Sequence, residues 1–189
     1  AVASAFAAPG GDGVVLEERL SGRELSLLGI TDGSGWLPLQ LAQDYKYFAD
    51  GDSGPMTGGM GAVAPADLLT AEQLRQVNGT IVSRTLAGLR AEGLSNAGVL
   101  FIGLMVSDAG VKVLEYNVRL GDPETQSVLP LMESDLLEVI IAACDGRLAE
   151  QNISWHSLVA AGVVMAAPGY PGSPVRDIPL ELPASAPGL

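Results

Sequence analysis

The stretch that decides how this chain is read is VLEYNVRLGDPETQSVLP at 113–130. Its opening belongs to VKVLEYNV at 111–118, which follows VLFIGLMV at 99–106 across the turn SDAG at 107–110. Two apolar runs bounded by turn residues read as a buried antiparallel hairpin. Side chains alternate faces along a strand, so Glu115, Asn117 and Arg119 are expected to project from one face at the strand's end. A carboxylate, an amide oxygen and a guanidinium would then share one small site. Hard divalent cations such as magnesium take oxygen donors of this kind together with substrate phosphates, and a neighbouring Arg can hold an anionic oxygen of the same group. That is the equipment of phosphoryl transfer, although alternating polar residues on a strand also describe an ordinary solvated face. The turn GDPETQ at 121–126 adds Asp122, Glu124 and Thr125 directly after the strand.

Upstream, VVLEERL at 14–20 and RELSLLGI at 23–30 read as two strands joined at Ser21-Gly22, and DGSG at 32–35 turns the chain into WLPLQLAQ at 36–43. The expectation is an antiparallel meander. From Asp44 to Pro65 the pattern breaks into DYKYFADGDSGPMTGGMGAVAP, read as a long Gly-rich functional loop. Thr70 and Gln73 form a capping box for an amphipathic helix near 71–92, carried by Leu74, Val77, Ile81, Leu86 and Leu89. Ser134 and Asp135 can cap a second helix through about Leu148, with Leu137, Ile140, Ile141 and Cys144 on its apolar side and Cys144 as a small buried hydrophobe. A strand at 159–167, the turn PGYPGSP at 168–174 and a proline-rich tail complete the chain.

Composition excludes several classes. No run among the 189 residues approaches the roughly 18 to 20 unbroken apolar residues of a membrane span, despite 48% hydrophobic content and a mean hydropathy of +0.31. Ten Lys and Arg against 22 Asp and Glu, a formal charge of -12, leave too few cations to neutralise a nucleic-acid backbone or to seek an acidic membrane. One cysteine allows no internal disulfide and no cysteine-based zinc site, which points to a reducing, cytoplasmic setting. The opening AVASAFAAPGGDG has neither the basic start of a signal peptide nor an initiator Met, so it reads as a cut inside a longer chain.

The run at 113–130 closely resembles one long signature of the glycinamide ribonucleotide synthetase (phosphoribosylamine-glycine ligase) family. AQDYKYFADGDSGPMTGGMGAVAP at 42–65 resembles the family's other long signature, in the right order and at a fitting distance. The resemblance runs from about Val14 to Gly172, including SDLLEVIIAACDGRL at 134–148 and VVMAAPGYPG at 163–172. It implies an α+β fold: residues 1–150 as the C-terminal part of an ATP-grasp domain, an antiparallel sheet with packed helices, and residues 151–189 as the start of a small β-rich C-terminal domain. It also implies an ATP-dependent ligase of purine biosynthesis that phosphorylates glycine and lets 5-phosphoribosylamine attack the glycyl phosphate.

Carried across by resemblance, Glu115 and Asn117 are the magnesium or manganese ligands and Arg119 steadies the phosphoryl group. Glu17, Glu18, Leu20 and Glu24 correspond to the hinge that holds the adenine and ribose of ATP. Asp44, Lys46, Thr57, Gly58, Gly59 and Met60, with Asp122, Pro123, Glu124 and Thr125, shape the pocket for glycine and phosphoribosylamine. The Gly-rich segment lacks the Gly-Lys-Ser/Thr ending of a Walker loop and is not one; its glycines would let backbone N-H groups approach an anion.

The chain departs from the family at Tyr45, Tyr47 and Met56, where His, Arg and Asn are usual, and at Val63-Ala64, where Tyr-Ser is usual. Loss of the cation at position 47 puts that segment's phosphate contact in question. His156 lies outside both signatures and reads as a surface or interdomain residue. The family's N-terminal half, with the lysines that grip ATP phosphates, would precede Ala1, so the chain by itself is expected to be inactive. Two alternatives stay open: an ATP-grasp ligase for a different amine, and a non-catalytic remnant serving as a binding module.

Overall fold

The protein is described by a computed structural model over residues 15–94 and 97–181. Val14, the opening segment and the tail from residue 182 lie outside the described residues. In chain order the strands are β1 (Arg23–Thr31), β2 (Trp36–Pro38), β3 (Gln43–Asp44), β4 (Tyr47–Ala49), β5 (Ser53–Met56), β6 (Gly61–Ala64), β7 (Gly98–Ser107), β8 (Gly110–Asn117) and β9 (Ala160–Val163). The helices are α1 (Ala71–Val77), α2 (Ser83–Ala91), α3 (Glu124–Val128) and α4 (Leu136–Cys144).

The central sheet runs β2-β1-β7-β8, antiparallel throughout. β1 pairs with β7 from Arg23 opposite Val106 to Thr31 opposite Gly98. Both strands are buried on their two faces, which is why their sequences read as continuous apolar runs. The period of two then sorts their side chains into two cores. Leu25, Leu27, Leu100, Ile102 and Leu104 meet Val77, Val82 and Leu86 of the α1–α2 helix, whereas Leu28, Ile30 and Phe101 meet Val128, Leu131, Val139 and Ala143 on the other side. Leu27, Leu28, Ile102 and Leu104 are 0% exposed; burying one such side chain contributes about 2 kcal/mol.

The capping box starts α1 as expected: Gln73 N donates to Thr70 Oγ1 at 3.2 Å, and Thr70 N donates to Gln73 Oε1 at 2.9 Å. Between α1 and α2 the helix widens into a π turn over Asn78–Val82, where Ser83 Oγ donates to the Asn78 carbonyl at 2.9 Å.

Four expectations need correction. Residues 15–20 form no strand: Val15 and Leu16 are more than four-fifths exposed, and the segment is tied to the sheet by Lys112 Nζ and Glu18 Oε2 at 2.8 Å. Alternation in VVLEERL lacks the backbone partner that makes a strand. WLPLQLAQ holds two short strands separated by Leu39–Ala42, so the meander is interrupted. The segment 44–65 is no open loop. It contains the β4–β5 hairpin and β6, which completes a second sheet, β3-β6-β9. Finally, α4 buries Val139, Ala142 and Ala143 and leaves Leu137, Ile140, Ile141 and Cys144 exposed. The helix is apolar nearly all round, so its periodicity did not choose a face; its small side chains allow the closer approach to the sheet.

The strand near 159–167 is realised as Ala160–Val163 and pairs with β6, Gly61 opposite Val163. An isolated bridge between Met132 and Trp155 also ties the segment after α4 back onto the main body.

Candidate functional site

Strand β3 carries Asp44 into the wall of a cleft of about 490 Å³ that is also lined by Leu20, Arg23, Glu24, Lys46 and Leu114. The β1 end supplies Glu24, and Lys46 stands just beyond β3; Lys46 Nζ meets Glu24 Oε2 at 2.9 Å with both side chains partly buried. Burial by itself would lower the Lys46 ammonium, but its hydrogen bond to Glu24 and the charges of Glu24, Asp44 and Glu115 hold it above its usual value. Glu115 is thereby placed within electrostatic reach of Lys46.

Asp44 is 8% exposed, and its Oδ1 has no hydrogen-bond partner. Burial pushes its carboxyl up to about 7, the neighbouring Glu124 adds to the rise, Lys46 opposes it and Glu24 reinforces it. Glu124 is 3% exposed, and Ser26 Oγ of β1 donates to its Oε1 at 2.6 Å. A Cβ at Gly121 would lie 2.5 Å from Glu124 Oε2, so the glycine of GDPE leaves room for that carboxylate.

The two sequence signatures dock on each other here. At Gly59, with φ +130°, a Cβ would stand 2.4 Å from Pro123 Cδ and 2.9 Å from Asp44 Oδ1. Thr57 Oγ1 donates to the Lys46 carbonyl at 2.8 Å and accepts from Gly59 N at 3.0 Å, while Met60 N donates to the Tyr45 carbonyl at 2.7 Å. Thr57 and Met60 thus shape the segment that presents Asp44 and Lys46. Gly58 N donates to the Tyr170 hydroxyl at 3.2 Å, which fastens the 168–174 turn to the same segment.

At the end of β8, Asn117 Nδ2 lies 3.4 Å from Glu115 Oε1, so these two side chains do share a face. Arg119 lies beyond the last residue of the strand, where the period of two no longer orders side chains; its Nη1 donates to the Leu120 carbonyl at 2.8 Å. Asp122 Oδ1 accepts from Gln126 Nε2 at 2.8 Å, and Thr125 Oγ1 donates to the Gly121 carbonyl, so both serve the α3 turn. Glu17, Glu18 and Leu20 border a smaller depression of about 220 Å³ with Lys112, Val113 and Leu114. Leu20 and Leu114 belong to both spaces, so the hinge-like segment and the cleft adjoin.

Residues 2–125 match the family described as phosphoribosylglycinamide synthetase, ATP-grasp (A) domain. The chain belongs to this family. It is 46% identical over 171 residues to the phosphoribosylamine-glycine ligase of Mesorhizobium japonicum, covering 90% of this chain and 40% of that protein. Against the ligase of Allochromatium vinosum it is 50% identical over 159 residues, 84% of this chain and 37% of that one. The crystal structure of phosphoribosylamine-glycine ligase from Thermotoga maritima superposes with a TM-score of 0.73 at 35% identity, over 84% of this chain and 40% of that chain. The chain therefore spans about 40% of the length of the curated relatives it matches. The α+β ATP-grasp reading stands, with antiparallel sheets and packed helices.

The family departures cluster in space. Tyr45, Tyr47 and Met56 all line the main cleft and all are exposed, whereas Val63 and Ala64 sit in β6 away from it. His156 Nδ1 faces Glu133 Oε1 at 2.9 Å on the surface, as its place outside the signatures suggested. Sequence reasoning missed Ser26 and Tyr170, and placed Arg23 in the hinge-like segment beside Glu24 without giving it a role. Ser26 had a signal, a lone hydroxyl inside the apolar run of β1; Tyr170 had none, because only the fold brings it to Gly58.

Proposed function

We propose that this chain is part of a longer ATP-dependent ligase that joins glycine to 5-phosphoribosylamine through a glycyl phosphate, giving glycinamide ribonucleotide, ADP and phosphate. The observation that carries the reading is the docking of the two signatures, Gly59 against Pro123 and Asp44, beside a cleft whose walls hold Glu24, Asp44 and Lys46. In this reading residues 1–150 belong to the ATP-grasp domain and residues 151–189 open the next domain, with β9 as the strand that joins them.

A carboxylate is a poor acylating agent, and phosphorylation converts one of its oxygens into a leaving group. Glu115 and Asn117 suit a hard divalent cation because each carries a ligand oxygen on the same strand face; Asn117 here turns Nδ2 to Glu115 Oε1 at 3.4 Å, so its amide would reverse to offer Oδ1 to the ion. Among the described residues no group of three or more His, Cys, Asp or Glu could hold a metal. A magnesium or manganese ion held by these two side chains would complete its shell with nucleotide phosphates and water. Such an ion supplies Lewis-acid stabilisation of charge on the transferring phosphoryl group. Arg119 is an exposed cation two residues past Asn117 whose Nη1 is held by the Leu120 carbonyl at 2.8 Å, and a further N-H of its guanidinium would meet an anionic oxygen of the acyl phosphate. Glu17, Glu18, Leu20 and Glu24 border the nucleotide side, with a Glu24 carboxylate oxygen fixed by Lys46. Asp122, Pro123 and Thr125 frame the substrate side, and Glu124 acts from beneath it through Asp44. The described residues contain no helix long and apolar enough to cross a membrane, and the reading assigns the parent to the cytoplasm without a nucleic-acid partner.

The test is an ADP-release and product assay on the full-length parent with glycine and phosphoribosylamine, beside Asn117→Ala and Arg119→Ala. ADP release that needs both substrates and falls at least about 100-fold in each variant supports the assignment. Turnover with a different amine would withdraw the substrate, and no turnover would withdraw catalysis.

A further inference from the structure

Gly103 interrupts the apolar run of β7 between Ile102 and Leu104, both 0% exposed. Glycine inside a strand weakens it, and Gly103 is not among the residues with positive φ, so its backbone does not require glycine. The register supplies a reason. Ser26 of β1, Gly103 and Glu115 of β8 lie side by side across three strands, and Leu28, Phe101 and Asn117 form the next row. Directly opposed residues of an antiparallel sheet share a face, so Glu115 and Asn117 stand on the face that also carries Ser26 and Glu24.

β8 is the edge strand of this sheet, so a side chain at residue 115 can lean outward over the edge or inward over β7. It leans inward. Cβ atoms of directly opposed residues stand about 4.5–5.5 Å apart, whereas a Cβ at residue 103 would come within 3.0 Å of Glu115 Cγ. The Glu115 chain therefore fills the space that a side chain on β7 would take. From there its Oε1 lies 3.4 Å from Asn117 Nδ2, and its charge acts across β7 on Lys46, which Glu24 of β1 holds at 2.9 Å.

We propose that Gly103 is a positioning residue for the divalent cation: by leaving β7 bare it lets the Glu115 carboxylate lie over the sheet, where Glu115 and Asn117 can share one ion. The inference rests on the ligase reading above, in which this pair holds magnesium or manganese. Gly103 touches neither ion nor substrate and acts through Glu115. A methyl group at residue 103 forces the Glu115 chain to give by a few tenths of an ångström, and the unoccupied side is the open edge of β8. The carboxylate then leaves the place it shares with Asn117. Groups that orient a metal ligand rather than supply one are worth about 10- to 100-fold in metal affinity.

The experiment is calorimetric titration of the full-length parent with a non-hydrolysable ATP analogue, once with excess Mn2+ and once with EDTA. The ratio of the two dissociation constants reports the ion that the protein helps to hold. For Gly103→Ala the expected result is a ratio reduced about 10-fold or more, with the affinity in EDTA unchanged. An unchanged ratio overturns the proposal. So does an equal loss of affinity in Mn2+ and in EDTA, which is what general loosening of the strand would give. Should Gly103→Ala fail to fold, Glu115→Asp decides, because it keeps the carboxylate and shortens the chain that crosses β7. A ratio reduced about 10-fold supports the proposal, and a wild-type ratio in that variant overturns it. The ligase reading fails separately. A parent with the expected Mn2+ pattern but no glycine-dependent ADP release loses its substrate assignment and keeps this inference, whereas a wild-type parent whose analogue affinity ignores Mn2+ loses the inference.

Discussion

Replacing Asp44 by Asn should stabilise the fold, and by an amount that depends on pH in a defined way. The carboxyl is raised from 3.8 to about 7, so the folded state binds a proton more tightly than the unfolded state. The sign follows from linkage: stability from this group is fully present below about pH 4, declines as pH rises, and is lost above about pH 7. A shift of about three pKa units corresponds to about 4 kcal/mol at 1.36 kcal/mol per unit. Asn keeps the shape and cannot ionise, but it must also be desolvated and meets the same empty acceptor space, so a gain of about 2–3 kcal/mol at pH 8 is the working figure. The assay is urea unfolding of the 189-residue chain at low concentration, followed by fluorescence of Trp36 and Trp155, at pH 4.5, 6 and 8. Asp44→Asn should match the wild type near the lowest pH and exceed it progressively above. A difference that does not change with pH, or an Asn variant less stable at pH 8, would refute the reasoning about the buried charge.

Ile102→Ala, at a position 0% exposed in the helix-side core, should cost about 2–5 kcal/mol in the same unfolding experiment; a loss under about 1 kcal/mol would show that this core collapses around the gap. Gly121→Ala forces a Cβ to within 2.5 Å of the Glu124 carboxylate, whose movement is restrained by Ser26, and should destabilise the chain by about 1–3 kcal/mol; Gly88→Ala, inside α2 with nothing within 4 Å, should instead stabilise it by about 0.5–1 kcal/mol. The exposed Leu137, Ile140 and Ile141 of α4 should make the isolated chain bind ANS under native conditions, and Ile140→Ser with Ile141→Ser should reduce the signal. Equal dye binding by the double variant, or none by the parent fragment, would show that α4 is not the sticky face.

The elements that sequence determined are those whose cause is local or strictly periodic. The β7–β8 hairpin follows from two apolar runs across SDAG, and the start of α1 from Thr70 and Gln73, whose hydrogen bonds close within four residues of chain. The continuous apolar character of β1 and β7 announced strands buried on both faces, and a side-chain period of two divided Leu25 and Leu27 from Leu28 and Ile30. The pairing of Glu115 with Asn117 was legible on the same ground, and that ground ended with the strand, before Arg119. The two signatures marked which segments belong to the site.

What tertiary structure decided depends on partners far away along the chain. β6 is a strand because β9 pairs with it about a hundred residues later, so glycine and proline counts in 44–65 suggested a loop. Residues 15–20 alternate like a strand but found no ladder to join. Helix α4 offered apolar side chains in every direction, and close packing of Val139, Ala142 and Ala143 against the sheet selected the face. The burial of Asp44, the link from Ser26 to Glu124 across 98 residues, and the contact of Gly59 with Pro123 likewise leave no local trace. Desolvation and charge proximity act through space, so the pKa of Asp44 is a property of the folded chain and not of the tetrapeptide that contains it.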